Sequence, residues 1–101
     1  MRINGEDWAF CLVPPGDPAL CTSVNCALGV CDDNDKTIYI LNNLNREKMR
    51  KVLCHEIVHA AMFSYNTDLD WWTEEIVADI IATYGDEITG ETDRIFEYLT
   101  E

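Results

Sequence analysis

Apolar positions change their spacing near the middle of the chain. Trp8–Val13 (WAFCLV) is a short apolar run ended by Pro14-Pro15, which predicts a strand, because proline supplies no ladder donor. Asn4-Gly5, just before it, predicts a tight turn, and PPGDPALC reads as loop. Ala27–Cys31 and Thr37–Leu41 predict two more strands joined by the acidic turn DDNDK as a hairpin. In TIYIL, Ile38 and Ile40 belong on the core face, with Thr37 and Tyr39 opposite.

Beyond this point the period becomes helical. Asn43 or Asn45 can cap a helix over roughly 45–64. From Val52 onward that helix is apolar nearly all round, through Phe63, which predicts burial within the domain. YNTDLD is a connection. A second helix is predicted from about Trp71 to Tyr84 or a little beyond, with Ile76, Val77, Ile80 and Ile81 available for packing and Trp71-Trp72 in the core. Thr89-Gly90 is expected to break it, leaving Arg94–Thr100 as a last short helix. Strands followed by helices predict an α+β fold: a small antiparallel or mixed sheet packed on the two helices, in a single domain over residues 1–101.

Charge narrows the function classes. Seven Lys and Arg stand against nineteen Asp and Glu, a net charge of −12, which disfavours phosphate-backbone binding and so a nucleic-acid partner. After His59 there are eleven acids and one base, Arg94, whereas Arg46, Lys48, Arg50 and Lys51 cluster just before the histidines. A solvated acidic surface accounts for the bias; a surface imitating nucleic acid is the sharper alternative. No apolar run reaches about 18 residues, so no membrane span is expected. The start, MRINGEDWAF, does not resemble a signal peptide, and a cytoplasmic location is expected. The five cysteines form no CxxC pair and read as reduced, mostly buried thiols; a disulfide among Cys21, Cys26 and Cys31 stays open.

The chemistry concentrates in VLCHEIVHAAM. His55 and His59, the only two histidines, lie four residues apart and therefore on one helix face, with Glu56 about 100° further round. Burying a carboxylate and two imidazoles in an apolar segment is costly unless a cation compensates them, which points to a divalent metal. Catalytic zinc takes three protein ligands and leaves a position for water. With no third histidine, the remaining donor is a carboxylate or a cysteine. In WTEEIVADI, Glu75 and Asp79 are four apart: Glu75 suits the metal, and Asp79 suits the outer N–H of a ligand histidine. Glu74 is expected to point elsewhere, into solvent. An ordinary acidic face is the plainer reading of the same pair.

HEIVH followed by EIVAD resembles the HExxH…ExxxD pattern of gluzincin metallopeptidases, and TIYIL before it and EEIVADIIATYGDEI after it resemble small zincin-like proteins such as the ImmA/IrrE-type metallopeptidases and minigluzincins. The similarity covers roughly residues 27–88. It implies one Zn2+ held by His55, His59 and Glu75, Glu56 as catalytic base, and Asp79 orienting His55. It also implies a peptide or protein substrate and peptide-bond hydrolysis. Full-size gluzincins carry a transition-state histidine on a second subdomain, for which this chain has neither residues nor histidine.

Tyr65, Tyr84 and Tyr39 are the candidates for stabilising the developing oxyanion. Thr37–Leu41 is expected to be an edge strand pairing with extended substrate. The segment GETDRIFEYLTE is the candidate cover for the cleft, which would make the chain latent as minigluzincins are. Two alternatives compete. Peptide deformylases also carry HExxH, with a cysteine ligand for which Cys26 or Cys31 would serve. A phage or mobile-element protein could instead hold structural zinc and act through its acidic surface.

Overall fold

The computed structural model describes residues 1–101. It is α+β: strands β1 (Arg2–Ile3), β2 (Glu6–Asp7), β3 (Ala9–Val13), β4 (Gly29–Asp32) and β5 (Thr37–Leu41), then helices α1 (Arg46–Ser64) and α2 (Trp71–Leu99). β1 and β2 form an antiparallel pair across Asn4-Gly5, whose φ values of 48° and 80° are those a two-residue hairpin turn requires.

The main sheet has the order β3-β5-β4, with β5 parallel to β3 and antiparallel to β4. Thr37–Leu41 is therefore the central strand and not the edge expected of it. β3 occupies its second side, and the chain continues that pairing where Asn42 N–H donates to the Val13 carbonyl at 2.8 Å. The open edge beside the helices belongs to β4. Ile38 and Ile40 point into the core with Trp8 and Ala60, and Met49, Val52, Leu53 and Ile57 of α1 pack against them. The Trp8 indole N–H finds its partner in the Ser64 hydroxyl at 2.8 Å, tying the start of the chain to the end of α1.

Asn45 caps α1, its side chain accepting from the Lys48 N–H at 2.8 Å. Only one side of α1 meets the sheet, so its apolar stretch is not uniformly buried, and Phe63 remains exposed. Asp70 caps α2, accepting from the Thr73 N–H at 2.9 Å, and these backbone donors hold its carboxyl below the ordinary value.

α2 runs unbroken through Thr89-Gly90 to Leu99, contrary to the predicted break. One interior glycine costs a helix only about 1 kcal/mol, and the Thr89 hydroxyl is satisfied within the helix by the Gly85 carbonyl at 2.9 Å. No residue beyond Ala82 lines either cleft beside Glu56, so the C-terminal segment does not cover them.

α2 packs chiefly along α1. Glu75, Ala78, Asp79 and Ala82 share the near face at helical spacing, and Ala78 is the one α2 residue fully removed from solvent. That rotation turns Ile76, Ile80 and Ile81 outward, and Trp71 and Trp72 stand 63% and 71% exposed rather than in the core. No helix is long and apolar enough to cross a membrane. Cys21 and Cys26 are joined as a disulfide, against the expectation of reduced thiols, and Cys11 is exposed.

Gly29 lets β4 approach α1. A Cβ there would lie 2.7 Å from Val52 Cγ1 and 3.0 Å from Glu56 Cγ. Gly29→Ala should therefore lower stability in urea by about 1–3 kcal/mol, as overpacking does; an unchanged midpoint would mean the strand and helix have room to part.

Candidate metal centre

His55 and His59 stack on the inner face of α1, and α2 brings three carboxylates to them. His55 Nε2 and His59 Nε2 lie 3.1 Å apart. His55 Nδ1 is 2.9 Å from Asp79 Oδ1, and His59 Nδ1 is 2.6 Å from Glu74 Oε1. Glu75 spans the gap between the rings, with Oε1 2.8 Å from His59 Nε2 and Oε2 3.4 Å from His55 Nε2.

A carboxylate only accepts, so each Nδ1 that faces one carries hydrogen. A neutral ring protonated at Nδ1 presents a lone pair at Nε2. Two such lone pairs and a carboxylate then face one another at 2.8–3.4 Å, which is repulsive unless a cation, or a proton on one Nε2, lies among them. Donors about 2.0–2.1 Å from a tetrahedral ion stand roughly 3.4 Å from one another, close to the edges of this triangle. Ligand atoms of His55, Glu56 and His59 also lie within 4.8 Å of one another, a group able to hold a metal ion. The chemistry and spacing of the donors fit a divalent cation.

Glu56 is 7% exposed. Burial raises its pKa above the ordinary carboxylate value; the neighbouring imidazoles oppose that shift and Glu75 adds to it. It borders two clefts. One, of about 320 Å³, runs past Gly29, Val52 and His55 towards Lys48 and Lys51. The other, of about 280 Å³, lies between Cys31, Phe63 and Trp71.

His55, His59, Glu75 and Asp79 are thus brought together, with Glu56 beside them. The tyrosines are not. Tyr65 follows the end of α1 and is 61% exposed, Tyr84 lies nine residues beyond Glu75 on α2, and Tyr39 donates to Asp35 Oδ2 at 3.3 Å. None borders either cleft at Glu56. Cys26 is consumed in the disulfide, and burial together with nearby carboxylates raises the Cys31 thiol to about 12, so neither offers a ready thiolate.

Glu74 is the residue sequence reasoning misplaced: its side chain is largely buried against His59 instead of solvated. The missing signal was elementary. Two ligand histidines have two outer N–H groups, and Asp79 alone serves only one of them.

No family model, curated protein or solved structure matches the chain.

Glu74→Ala should weaken metal affinity by about 10–100-fold in competition with a chromogenic chelator, as loss of a ligand's hydrogen-bond partner does. Unchanged affinity with the fold intact would mean that His59 needs no acceptor.

Proposed function

We propose that this chain is a zinc-dependent metallopeptidase of the gluzincin kind, hydrolysing peptide bonds in a peptide or protein substrate. The observation that carries this reading is the convergence of both Nε2 atoms and the Glu75 carboxylate, with buried Glu56 alongside and open to a cleft. On this reading His55, His59 and Glu75 hold the ion, while Asp79 and Glu74 keep both rings in the ligating tautomer. A donor set of two imidazoles and one carboxylate suits zinc and leaves a fourth position free. When bound, zinc supplies Lewis acidity that lowers the pKa of water and polarises a carbonyl.

Glu56 takes the proton from the attacking water at its carboxylate and then delivers it to the leaving amine.

Substrate is held along β4. The Leu41 N–H donates to the Leu28 carbonyl at 3.0 Å, and the alternation of an antiparallel ladder then turns the backbone polar groups of Gly29 and Cys31 to the open edge. An extended peptide adding there lies across Glu56. With no tyrosine or arginine bordering these clefts, carbonyl polarisation falls to the ion and to backbone N–H groups.

A second reading, structural zinc in a protein that acts by binding a partner, is favoured by the distal part of α2, where Ile88, Ile95, Phe96, Tyr98 and Leu99 are exposed among acids. Glu56→Gln separates the two. On the peptidase reading the variant keeps its zinc and loses at least about 100-fold in cleavage of a quenched-fluorescence peptide library. Cleavage at the wild-type rate would remove Glu56 from the mechanism, and a zinc-loaded wild type that cleaves nothing would leave the binding reading.

A further inference from the structure

Four of the seven cations of this acidic chain are held in ion pairs. Arg2 pairs with Asp7, Lys36 with Glu6 and Asp33, Arg50 with Asp86, and Arg94 with Glu91. Arg46, Lys48 and Lys51 have no carboxylate partner, although acids outnumber bases nineteen to seven. Two of these three, Lys48 and Lys51, line the cleft that ends at His55 and Glu56; they also line the adjoining groove, whose acids are Glu47 and the Arg50-paired Asp86. At the metal end the cleft's acids are already engaged: Asp79 faces His55 Nδ1, and Glu56 lies beside the imidazoles. The outer wall is therefore a pair of uncompensated ammonium groups over a small, uncharged floor that includes Leu28, Gly29 and Val52.

We propose that Lys48 and Lys51 form an anion-recognising subsite, so that the preferred peptide carries a carboxylate two or three residues from the bond that is cut. This rests on the peptidase reading and names its substrate class. The spacing follows from helix geometry. Lys51 and Lys48 precede His55 by four and seven residues on one face of α1. At 1.5 Å per residue they stand about 6 and about 10 Å from it along the axis. An extended peptide advances about 3.3 Å per residue, so two or three residues cover that distance. The shared chemistry is a carboxylate, supplied either by an Asp or Glu side chain or by the substrate's own C-terminus. A peptide anion here meets the one unpaired positive surface beside the site, while the field of the remaining chain repels it elsewhere.

Affinity for metal-chelating peptide hydroxamates tests this without turnover. Three ligands differ only at the position in question: an amidated peptide with Gln, an amidated peptide with Glu, and the Gln peptide with a free C-terminus at that distance. Zinc-loaded full-length protein should bind one or both anionic ligands about fivefold or more tighter than the neutral one in low salt, with the gain shrinking at high salt. K48E/K51E should invert the preference, favouring a Lys-bearing hydroxamate; acids near the start of a helix are compatible with its dipole, so the fold is retained. Equal affinities in the wild type, or an acidic preference that survives charge reversal, would overturn the subsite while leaving the metal site standing. Failure of every hydroxamate to bind zinc-loaded protein would instead overturn the peptidase reading, and the subsite with it.

Discussion

Two imidazole nitrogens that face each other at 3.1 Å, each ring held from behind by a carboxylate of the opposite helix, set the relation between the halves of this molecule. Around Trp8, Ile38, Ile40 and Ala60 the sheet and α1 share an apolar core. α2 has no comparable anchorage. It lies mainly on α1, buries one residue, Ala78, completely, and presents carboxylates to the histidines. Its rotation brings Glu74, Glu75 and Asp79 to the four ring nitrogens, and leaves isoleucines and both adjacent tryptophans in water. A cation held among those groups would join the two helices, because binding energy at such a site is also folding energy.

The same constraint places Glu56. One residue round the helix from His55, it is pressed against β4 at the point where Gly29 has no side chain. Burial there raises its pKa, and the open edge of β4 runs past it. Acid chemistry, strand edge and unpaired lysines therefore meet along one side of α1, whereas the far end of α2 extends beyond them all.

Much of this was legible in the residues. The Asn4-Gly5 turn, the inward Ile38 and Ile40, the Asn45 cap and the face shared by His55 and His59 each follow from local stereochemistry acting over a few positions. Sequence reasoning failed where the outcome depends on which neighbour arrives. TIYIL reads the same at an edge or in the centre of a sheet, and only the parallel docking of β3 makes it central. The isoleucines of α2 mark an apolar face that tertiary packing does not use, because the face carrying Glu75, Ala78 and Asp79 turns inward. Gly90 resembles a stop, yet without a left-handed cap it is only a weak point in a continuing helix. Glu74 reads as a solvated acid beside Glu75, and only the docking of α2 against α1 brings it to the outer nitrogen of the second ring.

A three-donor centre requires a metal ion held between the helices, and native mass spectrometry of the full-length protein, wild type beside Glu75→Ala, tests for it most directly. About one zinc per chain in the wild type, lost or held far more weakly in the variant, is the expected result. A wild type that takes up no zinc on addition, or a Glu75→Ala protein that binds it as tightly, would contradict the three-donor centre.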